Sequence, residues 1–166
     1  MNSIGKWKCI DHGEGRPLVL LHGIGMSSET AWSPVLEKLA EKRRVIAFDL
    51  PGFGASEPLY KGADRSPKGI AEDLKCALQK EGISESVDIV GNSLGGFVAL
   101  EFAKLGQTRS VVLLSPAGLW HRTAPCWAVL NLKAIRWTVR HILWLAKQIV
   151  RTRVGRTILL RACLQT

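Results

Sequence analysis

The run Pro17-Leu18-Val19-Leu20-Leu21 is apolar without alternation. A strand that reads this way is covered on both faces, as in a parallel sheet, whereas a half-solvated strand alternates. Arg44 to Phe48, Ser86 to Val90 and Ser110 to Leu114 read as further short strands, and residues 5 to 11 as another. Between them, Trp32, Val35, Leu36 and Leu39 recur at helical spacing within Thr30 to Ala40. A second helix is expected from about Pro67 to Glu81, stopped by Gly82, and a third from about Leu94 to Leu105. Parallel neighbours need crossover connections, so this alternation predicts an α/β fold: a mostly parallel sheet with helices on both faces.

Composition permits such a core. Of 166 residues, 46% are hydrophobic and 22% charged, which excludes disordered and collagen-like chains. The net charge of +9 is unevenly placed. Residues 1 to 119 carry 14 basic and 14 acidic groups, while the last 47 residues carry nine basic groups and no acidic one. Cys9, Cys76, Cys126 and Cys163 are far apart and form no C-x-x-C pair, so neither a zinc site nor a disulfide framework is expected. No cofactor is expected either. Met1 to Pro17 has no apolar stretch behind its lysines, and no charge-free window of 18 apolar residues exists, so the expectation is a soluble cytoplasmic protein without signal peptide.

Gly91-Asn92-Ser93-Leu94-Gly95-Gly96 lies between an expected strand and an expected helix and fits the G-x-S-x-G nucleophile elbow. The serine of such an elbow sits on a sharp, strained turn, and Gly91 and Gly95 let the two backbones approach. The Leu94 N–H then opens a helix, where partial positive charge favours a developing oxyanion. A second piece, His22-Gly23-Ile24-Gly25, follows the strand that ends at Leu21. Glycines there let a backbone N–H come near the same oxygen.

HGIG at 22 to 25, DLPGFGAS at 49 to 56 and GNSLGG at 91 to 96, in that order, resemble the amino-terminal half of an α/β-hydrolase-fold serine hydrolase, over residues 5 to about 118. The resemblance implies that Ser93 is the nucleophile and that Leu94 and Ile24 donate to the oxyanion, with Gly23 or Gly25 as alternatives to Ile24. His22 and Asp49 would be structural, and loop 49 to 56 a turn beside the site. It further implies a small-molecule ester or related acyl substrate, with carbon–carbon bonds of ring-fission products as a weaker hint from Asn92. A serine at 93 argues against the dehalogenases and epoxide hydrolases of this fold, which place an aspartate there.

In this fold the acid and then the histidine of the triad follow the serine in the chain. After Ser93 the only acidic residue is Glu101, eight positions on in the same expected helix, and the position that some lipases use reads Ser115-Pro116-Ala117-Gly118. The remaining histidines, His121 and His141, are expected on a lid surface and on a solvated helix face. The expectation is therefore a truncated hydrolase with about six of the fold's eight strands, retaining the nucleophile and lacking acid and base. An apolar edge at 110 to 114 should be left without a neighbour. The rival reading is a non-catalytic binding or peripheral membrane protein built on a decayed hydrolase half.

Residues 1 to 118 would form the core part and 119 to 166 a helical cap. Within the latter, Leu132, Ile135, Val139, Ile142, Ala146 and Ile149 recur at three and four beside a stripe of Lys133, Arg136, Arg140, Lys147 and Arg151, an amphipathic basic helix. A cap over the active-site mouth is the family's reading. Weak contact with anionic membranes through 128 to 164 is the second, and nucleic acid is not expected, because no binding motif accompanies the charge. Gly23-x-Gly25 followed by Asp49 imitates a dinucleotide-binding unit only roughly, since its third glycine position is Ser28. Oligomeric state leaves no signature in the sequence.

Overall fold

A computed structural model describes residues 2–4, 7–118 and 141. The chain divides into two units at Leu119/Trp120. Except for His141, the expected cap, its amphipathic helix and His121 lie outside the described residues.

The order is β1 (Asn2–Ile4), β2 (Trp7–His12), β3 (Leu18–Leu21), α1 (Ser28–Ala40), β4 (Val45–Phe48), α2 (Pro67–Lys80), β5 (Val87–Asn92), α3 (Leu94–Lys104) and β6 (Thr108–Leu114). The strands form one sheet in the order β1-β2-β4-β3-β5-β6. β3 pairs in parallel with β4 and β5, and β5 in parallel with β6. The first two strands are antiparallel, β1 to β2 and β2 to β4. The α/β class and the mostly parallel sheet are thus as the sequence predicts, and β1 is an addition to it.

Side-chain direction alternates along the central strands and sorts the core into two layers. Val19, Leu21, Ile46 and Phe48 pack with Ile70 and Leu74 of α2 and Val98 and Phe102 of α3. Leu18, Leu20, Val45 and Ala47 face the other way, onto Trp32 and Leu36 of α1. This two-sided cover is why Leu18 to Leu21 reads as a continuous apolar run: all four are buried.

Local chemistry starts the first two helices. Ser27 caps α1, its Oγ accepting the Thr30 N–H while Thr30 Oγ1 accepts the Ser27 N–H. Helix α2 has Ser66 at its cap and Pro67 in its first turn, where a missing N–H is harmless. Among the described residues β6 has β5 as its one neighbour. Its Val111 and Leu113 pack on the larger core, whereas Val112 and Leu114, on the opposite face, are 48% and 43% exposed.

Candidate active site

Strand β5 runs straight into α3 through Ser93, whose backbone has φ 49° and ψ −110°. A non-glycine residue adopts positive φ only when its surroundings impose it, at a cost on the order of 1–3 kcal/mol. Three hydrogen bonds impose it here. The Ser93 N–H donates to the Leu114 carbonyl (3.0 Å), and the Ser93 carbonyl accepts the N–H groups of Phe97 (3.2 Å) and Ala117 (2.8 Å). The end of β6 therefore braces the turn. Asn92 contributes as well, donating from Nδ2 to the Leu114 carbonyl at 3.3 Å.

The glycines around Ser93 are explained by space. A Cβ at Gly91 would lie 2.2 Å from the Gly95 carbonyl oxygen, and one at Gly95 would lie 2.4 Å from that of Leu21. The Gly95 N–H donates to the His22 carbonyl (3.1 Å), so α3 begins directly against the end of β3. Leu94, by contrast, is the first residue of α3, and its N–H has no acceptor within the helix.

The loop after β3 reaches the same place. A Cβ at Gly23 would come within 2.9 Å of Asn92 Oδ1 and 3.3 Å of the Ser93 Cβ, so the Gly23 backbone lies against the serine. Gly25 has φ 77°, which turns the loop, and Ile24 between them is 68% exposed. Both predicted donor segments and Ser93 are thereby brought together.

His22 is fully buried beneath this loop. Its Nε2 accepts the Leu50 N–H at 2.9 Å, which leaves the ring proton on Nδ1 to donate to the Gly23 carbonyl at 2.7 Å. Burial pushes its pKa down, so the ring is neutral near pH 7. With both nitrogens engaged, His22 ties the loop to the chain beyond β4 and offers Ser93 no base. Asp49 is likewise committed: Oδ1 accepts the Ser28 N–H (2.6 Å) at the start of α1 and Oδ2 the Ala55 N–H (2.8 Å). The sequence reading missed Ser56, whose hydroxyl donates to the Asp49 carbonyl (2.7 Å) and accepts the Lys8 N–H (2.8 Å), tying loop 49 to 56 to β2. An isolated serine carries no signal of such a role.

Of the residues after Ser93 that could supply an acid or base, Glu101 pairs with Lys104 at 2.6 Å. His141 is exposed, and His121 lies outside the described residues.

A strained serine at a strand-to-helix turn, a glycine loop packed on it and the strand order of the sheet together define a chain of the α/β-hydrolase class. The chain belongs to the alpha/beta hydrolase fold family, whose sequence profile matches residues 16–139. It is 37% identical over 114 residues to a pimeloyl-[acyl-carrier protein] methyl ester esterase of Aeromonas salmonicida, covering 69% of this chain and 40% of that protein. It is 36% identical over 116 residues to a 2-hydroxy-6-oxo-6-(2'-aminophenyl)hexa-2,4-dienoic acid hydrolase of Metapseudomonas resinovorans, covering 66% and 39%. Among solved structures, a thermophilic esterase from Thermogutta terrifontis superposes with a TM-score of 0.60 at 30% identity, covering 66% of this chain and 40% of that one. The chain thus spans about two fifths of the length of these relatives.

Proposed function

We propose that this chain carries the nucleophile half of a serine hydrolase acting on small ester or related acyl substrates. The observation that carries the reading is the strained Ser93 backbone with the Gly23 loop packed against it. In the reaction Ser93 Oγ bonds to the acyl carbon, its proton passes to a base, and the alcohol leaves. The carbonyl oxygen, negative in the tetrahedral intermediate, accepts from the free Leu94 N–H and the Ile24 N–H. Water then releases the acid from acyl-Ser93. Cleavage of a carbon–carbon bond next to a carbonyl uses the same hole, and a relative's name points that way. A cytoplasmic setting fits Cys9 and Cys76, both free thiols.

A serine hydroxyl needs a base held by an acid. Glu101 is the last carboxylate side chain in the sequence and is paired to Lys104, which supports the reading that these 166 residues lack an orienting acid. They therefore hydrolyse p-nitrophenyl esters at background rates while Ser93 is slowly labelled by a fluorophosphonate. Turnover well above background that vanishes in Ser93→Ala would sink the claim of inactivity; turnover that survives that substitution would sink the assignment of Ser93. The same missing acid favours a second reading, a non-catalytic binding or membrane-peripheral protein. That reading predicts no labelling at Ser93 and co-sedimentation with anionic liposomes.

A further inference from the structure

At the opposite end of the sheet from Ser93, a concavity of about 460 Å³ is lined by Arg16, Lys38, Leu39, Lys42, Arg43 and Arg109. Five of these six residues are cationic, although residues 1 to 119 as a whole balance 14 basic groups with 14 acidic ones. Among the described residues no carboxylate pairs with Arg16, Lys38 or Lys42. The acid recorded at this place is Asp88, buried near the start of β5.

Asp88 holds the arginines in position. Arg109 meets it through Nε (3.0 Å to Oδ1) and Nη2, Ser110 donates its hydroxyl to Oδ1 (2.5 Å), and Arg43 reaches it through Nη2. A local irregularity of the sheet makes this joint approach feasible. Val87 pairs with Thr108 but Asp88 pairs with Ser110, so Arg109 is an extra, bulged residue in β6. On a regular strand residues 109 and 110 would point to opposite faces; a bulge re-aims a side chain. Here it brings both to one carboxylate. Arg43 also has a buried Nε with no hydrogen-bond partner among the described residues.

From these observations we infer that the hollow is a binding site for a small polyanion, one bearing two or more phosphoryl or carboxyl groups. One buried carboxylate fixes two guanidinium forks, and three unpaired cations at the rim supply the charge. Concavity concentrates that field and suits a compact ligand better than an extended polymer. The site is separate from the esterase chemistry: Asp88 precedes Ser93 by five residues of strand, roughly 16 Å.

The test is isothermal titration of the 166-residue protein with pyrophosphate and with citrate, in low salt. Saturable one-site binding is expected, and the tighter of the two tells phosphoryl from carboxyl recognition. The double variant K38Q/K42Q should weaken binding about tenfold or more, as loss of two nearby charges does. Both lysines are exposed and unpaired, so the variant folds. K61Q/K68Q, with the same change in net charge at exposed residues that do not line the hollow, should leave affinity unaltered. Absence of saturable binding by either anion would overturn the inference. So would equal loss in the two variants, or no loss in either, since the basic residues after Leu119 would then account for the binding. A short DNA duplex that binds more tightly than pyrophosphate and depends on Lys38 and Lys42 would also overturn it, in favour of a nucleic-acid surface.

Discussion

His22 and Leu50 are joined by a buried hydrogen bond in which the imidazole Nε2 accepts the Leu50 N–H at 2.9 Å. Because Nδ1–H is spent on the Gly23 carbonyl, the one ring fixes both the glycine loop and the chain leaving β4. Replacement by alanine strands a buried N–H and frees a buried carbonyl, which should cost about 1–3 kcal/mol per unsatisfied group. The expected result for His22→Ala is a clear fall in the urea midpoint with an unchanged slope.

The same residue should give a pH dependence. Its folded pKa lies below the unfolded value of about 6.5. Between the two values the unfolded chain holds the extra proton, so stability from His22 is complete above about pH 6.5 and is lost as pH falls from there through the folded pKa. Urea midpoints of the parent should decline from pH 7.5 to 5.5 more steeply than those of His22→Gln. Parallel declines would refute the assignment.

Gly23 and Gly95 both crowd the serine turn, yet they should respond differently to alanine. At Gly95 the new methyl meets backbone, the Leu21 carbonyl oxygen at 2.4 Å, and neither side can yield. Overpacking of this kind costs about 1–3 kcal/mol or more. At Gly23 it meets the end of the Asn92 side chain at 2.9 Å, which can swing aside. Gly23→Ala should keep most of its stability in denaturant titrations and lose fluorophosphonate labelling of Ser93.

Asp88 predicts behaviour in acid. The Arg109 guanidinium, then Ser110 and Arg43, hold its carboxyl well below the usual carboxylate range against the opposing effect of burial. A depressed folded pKa contributes stability that is complete above the unfolded value of about 3.9 and is lost as pH falls through the folded one. Asp88→Asn should therefore lower the melting temperature at pH 7 by several degrees and flatten its decline below about pH 4. A variant that melts like the parent at pH 7 would show that the cluster contributes nothing.

The cysteines offer a simple chemical check. Burial, with Asp11 adding to it, pushes the Cys9 thiol up to about 11, while Cys76 is exposed. In a Cys126→Ser/Cys163→Ser background, Ellman's reagent should titrate one thiol in the native protein and a second only in denaturant. Two fast thiols in buffer would contradict the buried placement of Cys9.

How much of this was legible beforehand follows from range in the sequence. The runs at Leu18 to Leu21 and Val45 to Phe48 announced themselves because burial on both faces writes an unbroken apolar string. Asn2-Ser3-Ile4 has no such string, and β1 exists by pairing with β2. Helix α1 begins at Ser28, earlier than the apolar spacing suggested, because Thr30 takes the place that Glu or Gln usually fills in a capping box and because Asp49, distant in sequence, accepts the Ser28 N–H. The elbow glycines were readable as a pattern. The bond from His22 to Leu50 was not, and neither was the bulge at Arg109, since each depends on which strand lies beside which.

The bracing of Ser93 by Leu114 and Ala117 has a consequence for the order of events during synthesis. A ribosome delivers the chain from its amino end. The strained conformation at Ser93 cannot be secured when Ser93 itself emerges, because its partners are still to come. Until β6 and Ala117 are laid down, the turn is free to relax. The strained turn at Ser93 is thus completed only once Ala117, 24 residues further on, has joined the nascent chain.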